Sequence, residues 1–203
     1  LTNGGSGYTS APTVTITGGK TIDTTSFNSD ISNWNVSEVT DMSSMFHGAS
    51  SFNQNISSWN VSNVTDMSSM FKGATAFNQN ISGWTVSAAI DMSSMFKGAT
   101  NFDRDLRSWN ISNVRNMSSM FEQAESFYFY GLGGWNVELV ENMNSMFKGA
   151  IKFGENGGGI KYWTFSGSNT DMSSMFEGAT KFNDDISEWD VRYVENMSSM
   201  FQD

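Results

Sequence analysis

The feature that most constrains this chain is a sentence it repeats seven times, Trp-x-Val-x-x-Val-x-Asp-Met-Ser-Ser-Met-Phe-x-Gly-Ala-x-x-Phe-Asn, with a period close to 25 residues. Trp34, Trp59, Trp84, Trp109, Trp135, Trp163 and Trp189 account for every tryptophan, and every methionine falls in a Met-x-x-Met-Phe unit such as Met42, Met45 and Phe46. A self-similar period in the twenties implies repeats stacked in one direction, each touching only its neighbours. The 203 residues therefore count as one elongated domain. A single copy has too few large apolar side chains to offset the entropy of ordering its backbone, so neighbouring copies must complete its burial.

The copy from Phe52 to Phe77 is the most regular, and its local chemistry predicts short elements. Asp66 stands where a helix N-cap would, Met67, Met70 and Phe71 follow at i, i+3, i+4 spacing, and Gly73 suits the exit of one or two helical turns. Asn116, Asn142 and Asn196 fill the Asp66 slot in other copies, preserving the capping chemistry. Ile56 to Ser62 alternates, with Trp59 and Val61 on one side, and predicts a half-buried strand. The expectation is an α/β solenoid: a stack of about seven coils, each with a short strand and a short helix, and a parallel β-sheet along one face.

The run from Val64 through Ala74, with Phe77-Asn78 and the Ile-Ser-x-Trp that follows, resembles the tandem repeats of mycoplasma-type and other bacterial surface lipoproteins. These are similar to BspA-type leucine-rich repeats. The resemblance covers Phe27 to Phe201. It implies a leucine-rich-repeat-like stack in a cell-surface or secreted setting, and it supplies an address more than an activity.

Composition narrows the partners. The net charge is −10, with six acids and three bases in residues 1–100 and fifteen acids and eight bases in 101–203. Such a balance opposes nucleic-acid binding and attraction to anionic lipid, both of which need clustered Lys and Arg. There is no cysteine, hence neither a disulfide framework nor a thiolate metal site. No apolar run approaches the roughly 20 residues that span a bilayer. Residues 1–26 read as a Gly/Ser/Thr-rich strand or linker, with alternation at Thr13 to Thr17, and as the tail of a preceding domain. Residues 27–203 form the repeat domain, expected to be truncated at its C-terminal end and thus part of something longer.

Residues of catalytic type lack partners. His47 shares its slot with Lys72, Lys97, Glu122, Lys148, Glu177 and Gln202, a solvent-facing series, and the paired serines such as Ser68 and Ser69 have no base beside them. Gly18-Gly19-Lys20-Thr21 ends like a phosphate-binding loop but has Val14 where the first glycine is required. The polar column of Asn28 and Asp30, Asn53 and Asn55, Asn78 and Asn80, Asp103 and Asp105, and Asn183 and Asp185 reads as a hydrogen-bonded ladder. Calcium near Asp184, Asp185, Glu188 and Asp190 is the alternative.

The period breaks in two adjacent copies. Six residues normally separate the Phe and Trp slots, but Phe127 to Trp135 has seven and Phe153 to Trp163 has nine. Stacking would gather Tyr128, Phe129, Tyr130, Glu155, Lys161 and Tyr162 on one edge, and insertions on one side of a repeat stack often build its binding face. These residues are the candidate binding site. The function expected is extracellular binding or adhesion to a host protein or glycan, without catalysis, cofactor, metal, nucleic acid or membrane insertion. The alternative is a structural spacer or self-associating segment of a surface fibre, filament or virion appendage.

Overall fold

The computed structural model describes residues 24–203, apart from 129–130, 156, 158 and 167–169. The strand expected over Thr13 to Thr17, with nearly all of the N-terminal segment, lies outside the described residues. Successive copies of the repeat do lie against one another in register, but not through the elements the sequence pattern predicts. Among the described residues there is no α-helix. Regular structure amounts to single 3₁₀ turns at Thr24–Ser26 and Leu132–Gly134 and two short parallel strands, β1 (Thr170–Asp171) and β2 (Val194–Asn196). Isolated parallel bridges join Asp41 to Asp66, Asp66 to Asp91, Asp91 to Asn116, Asn116 to Asn142, and Asn142 to Asp171. The expected α/β solenoid, a leucine-rich-repeat-like stack of about seven coils with a helix and a strand in each, is therefore incorrect.

Backbone hydrogen bonding gives the reason. The N–H groups of Met67, Ser69, Phe71 and Gly73 donate to the carbonyls of Asp91, Ser93, Met95 and Lys97 in the next copy, at 2.7–2.9 Å. Between them, Met70 and Lys72 donate to Met67 and Ser69, closing tight turns at 3.2 and 3.1 Å. This alternation needs left-handed backbone at intervals, and Ser69 lies at φ 55° and Gly73 at φ 70°, values that no right-handed helix accommodates. A helix of one or two turns would leave most of its terminal N–H and C=O groups unpaired and is costly to nucleate. The neighbouring copy satisfies those groups directly. The i, i+3, i+4 spacing is still used, since Met67, Met70 and Phe71 are all fully buried.

The expected strand is likewise a series of corners. Trp59 N–H closes a turn on the Ile56 carbonyl and Val64 N–H on that of Val61. Side-chain oxygens bend the chain three times in this copy: Asn55 accepts the Ser57 N–H, Asn60 that of Ser62 and Asp66 that of Ser68, at 2.8–3.1 Å. These are Asx turns, in which a short polar side chain replaces a backbone acceptor. They explain why Asn or Asp precedes Ser by two residues so often in this chain. Asp66 thus makes the bond of an N-cap without a helix to follow.

Aromatic columns fill the interior. Phe46, Phe71, Phe96, Phe121, Phe147, Phe176 and Phe201 stack with ring centroids 5.4–5.7 Å apart. A second column runs from Phe27 through Phe52, Phe77, Phe102, Phe127 and Phe153 to Phe182, at 5.7–6.2 Å. Within a copy the two rings approach to 3.8–4.2 Å. Each tryptophan from Trp59 onward donates its indole N–H to the carbonyl three residues before the preceding tryptophan, as Trp84 does to Ile56, at 2.9–3.2 Å. A buried indole N–H would otherwise be unsatisfied.

The positive φ of the second serine gives a direct check. We expect Ser69→Gly to leave stability unchanged or raise it by up to ~1 kcal/mol, whereas Ser69→Val lowers it by about 1–2 kcal/mol. Urea unfolding followed by tryptophan fluorescence measures both; a helical segment would give the reverse order.

Candidate functional site

The two irregular loops lie on one another. A Cβ on Gly133 would fall 1.9 Å from the Gly159 carbonyl oxygen, so the close approach of these adjacent copies depends on glycine. Leu132 and Ile160 are buried in the slot of Ile56, three residues before their tryptophans, and accept the same turn bonds from Trp135 and Trp163. Register is therefore restored at Leu132 and Ile160, and the surplus residues lie before them. Lys161 and Tyr162 are consequently not inserted: they replace Ser57 and Ser58 at an ordinary corner. Gly133 and Gly134 hold the corresponding positions in the preceding copy, Ser187 and Glu188 in the following one.

The six candidate residues meet different fates. Tyr162 is 72% exposed, and a Cβ at its neighbour in register, Gly134, would meet nothing within 4 Å. Lys161 Nζ pairs with Asp185 at 2.6 Å, reaches Glu188 at 4.0 Å and lies 5.7 Å from the Tyr162 ring centroid. Glu155 is exposed and faces Lys181 at 3.8 Å. Tyr128 is half-buried, its backbone N–H hydrogen-bonded to the Asp103 carboxylate. Phe129 and Tyr130 lie outside the described residues. The corner thus joins Lys161 and Tyr162 to Asp185 and Glu188, while Glu155 pairs with Lys181.

Asp184, Asp185, Glu188 and Asp190, the alternative calcium site, have partners within the protein. Asp184 accepts the Ile160 N–H at 2.9 Å, Asp190 pairs with Arg192, and Asp185 accepts from Lys161 and Ser187. Those hydrogen bonds hold the Asp185 carboxyl well below the ordinary range and push Lys161 up; Arg192 lowers Asp190 in the same way. No cluster of three or more acidic or imidazole groups that could hold a metal occurs among the described residues. His47 is exposed in its mixed column, where Lys97 pairs with Glu122 and Lys148 with Glu177, each at 2.7 Å.

The asparagine column is a ladder as far as Asp103. Asn53 N–H donates to Asn28 Oδ1, Asn78 N–H to Asn53 Oδ1 and Asp103 N–H to Asn78 Oδ1, at 2.9–3.0 Å. Tyr128 and Gly154 then occupy the slot with no amide to offer, which is where the loops depart. Asp103 Oδ1 is buried without a hydrogen-bond partner, and burial pushes this carboxyl up despite the Tyr128 N–H, Arg104 and Lys152. Sequence reading passed over Asp103 as an ordinary member of the column; the signal was its single formal charge among amides at the copy preceding the first irregular loop.

These features define a tandem-repeat protein whose copies are tied by backbone hydrogen bonds and whose period breaks in the loops before Leu132 and Ile160. The chain belongs to the family described as Mycoplasma protein of unknown function, DUF285, whose family model matches residues 20–131 and 128–203. The resemblance to mycoplasma-type repeats holds at that level, and the leucine-rich-repeat architecture does not accompany it. No curated protein matches the chain.

A carboxyl with a raised folded-state pKa favours the fold below its unfolded value and weakens it as pH rises through the folded one. Asp103→Asn supplies the amide of the other ladder positions. We expect it to raise Tm at neutral pH, with the advantage shrinking as pH falls through the carboxylate range. Thermal unfolding across pH measures this, and a lower Tm at neutral pH would contradict it.

Proposed function

We propose that the chain is an extracellular binding and adhesion module that engages a protein or glycan on another surface, with no catalytic role and no cofactor. The observation that carries this reading is Tyr162: an aromatic side chain 72% exposed at a corner where most copies place serine, glycine or asparagine. In register it falls between Gly134 of the preceding copy and Glu188 of the following one, beside Lys161, which pairs with Asp185 and reaches Glu188. An exposed aromatic with polar groups around it suits stacking on a sugar ring or anchoring in a protein pocket. The indole N–H groups of Trp163 and Trp189, bonded to the Leu132 and Ile160 carbonyls, tie the corner to both neighbouring copies, so little order has to be gained on binding.

Setting and partners follow from the sequence. Likeness of the repeat to those of mycoplasma-type bacterial surface lipoproteins supports a cell-surface or appendage location. The −10 charge disfavours nucleic acid and acidic polysaccharide as partners. A second reading, a structural spacer or self-associating segment of a surface fibre, filament or virion appendage, is favoured by the way each copy is satisfied through backbone hydrogen bonds to its neighbour.

Substitution at the corner tests the first reading. We expect Tyr162→Ala to weaken binding to immobilised host glycans or matrix proteins at least tenfold while leaving the melting curve unchanged, with Lys161→Ala having a smaller effect. Binding by the Tyr162→Ala chain equal to that of the parent would remove the site.

A further inference from the structure

One corner of the stack carries a gap with unlike walls. Gly134 fills the slot that Ser108 fills in the preceding copy and Tyr162 in the following one. It is exposed, and a Cβ built on it would meet nothing within 4 Å, so backbone alone floors the space there. Arg107 stands on the preceding copy, in the slot of Gly133, with its stem laid against Gly131, where a Cβ would fall 2.3 Å from the arginine Cδ. Asp105 holds the guanidinium in a fork at 2.7–3.0 Å, with Arg107 exposed and Asp105 half-buried. Tyr162 stands on the following copy. Two copy spacings separate these walls, roughly 10 Å at the backbone.

The floor also offers an acceptor that other corners use up. Where serine fills the slot of Tyr162, at Ser58 and Ser108, its hydroxyl donates to the carbonyl of Ser32 or Ser82 in the preceding copy, at 3.2 and 2.7 Å. Gly133 holds the equivalent carbonyl for Tyr162, and it accepts no hydrogen bond among the described residues. A tyrosine carries its donor at the far end of the ring, whereas a serine hydroxyl sits next to the backbone, so Tyr162 does not replace that bond.

We propose that this gap seats a neutral sugar ring of a glycan, over Gly134 and between Tyr162 and the Asp105–Arg107 pair. Tyr162 takes the apolar face of the ring. One sugar hydroxyl donates to the Gly133 carbonyl, in place of the missing serine hydroxyl, and adjacent hydroxyls donate to Asp105 and accept from Arg107. The corner suits a sugar better than a protein or a charged ligand. Its other apolar residues, Leu132, Ile160 and Trp163, are buried, so among the described residues Tyr162 lacks the cluster of desolvated anchors that a protein hot spot uses. Its cations are already matched, Arg107 by Asp105 and Lys161 by Asp185, and hydroxyls join such pairs without separating them. The inference rests on the binding reading of the Tyr162 corner and narrows its ligand from protein or glycan to glycan.

Binding of the full 203-residue chain to an array of neutral hexose- and N-acetylhexosamine-terminated oligosaccharides is the test. Arg107→Ser introduces the residue type of Ser57 and Ser82, and Gly134→Gln fills the open floor. Both should keep the melting curve and lower affinity for the bound glycan at least tenfold. Tyr162→Phe should keep most of the affinity, whereas Tyr162→Ser should lose it. Matrix proteins stripped of their glycans should not bind. An array on which no neutral glycan is bound, or glycan affinity unchanged in either Arg107→Ser or Gly134→Gln, would overturn the inference. So would binding to stripped matrix proteins that Tyr162→Ser abolishes, a result that leaves the adhesion reading standing.

Discussion

Every second backbone N–H between Met67 and Gly73 leaves its own repeat for a carbonyl of the next, and the same pattern runs from Met42 through Gly178. The rest of the structure depends on this exchange. It relieves each short segment of the orphaned groups that a helix of that length would carry, and it sets the register that lets phenylalanine meet phenylalanine and indole meet carbonyl. It also makes the copies interdependent, since the backbone of one is satisfied only by another. The alternation then demands left-handed backbone at regular points, which accounts for a positive-φ serine in every copy and a positive-φ glycine in most.

The sequence displays the period, the burial and the corners clearly. Trp59, Met67, Met70 and Phe71 are buried as their spacing requires, and the Asn28–Asn53–Asn78 column is the hydrogen-bonded ladder its chemistry suggests. The error lies in the local conformation. An Asp followed by apolar residues at i, i+3, i+4 and then glycine fits both a capped helix and a chain of tight turns, because each puts Met67, Met70 and Phe71 on one side. What separates them is whether the backbone donors find partners within the segment or across the stack, a long-range property that local spacing does not encode. Ser69 carried the only local hint: serine is neutral enough to enter the left-handed region when the hydrogen bonds on either side demand it.

The candidate site was partly legible for a similar reason. Counting residues between Phe127 and Trp135, and between Phe153 and Trp163, finds the irregular copies, but does not tell which residues are extra. Burial of Leu132 and Ile160 in the isoleucine column does, and it moves Lys161 and Tyr162 from an inserted loop to a fixed corner. The ion pair of Lys161 with Asp185 joins neighbouring copies, so it became visible only with the register known.

The central claim is that these segments are cross-linked turns, not helices. Scalar couplings transmitted through hydrogen bonds in the NMR spectrum identify donor and acceptor atom by atom. Couplings from the amide nitrogens of Ser69 and Phe71 to the carbonyl carbons of Ser93 and Met95 are the result this account requires. Couplings from Phe71 to the carbonyl of Met67, the i−4 pattern of an α-helix, would contradict it.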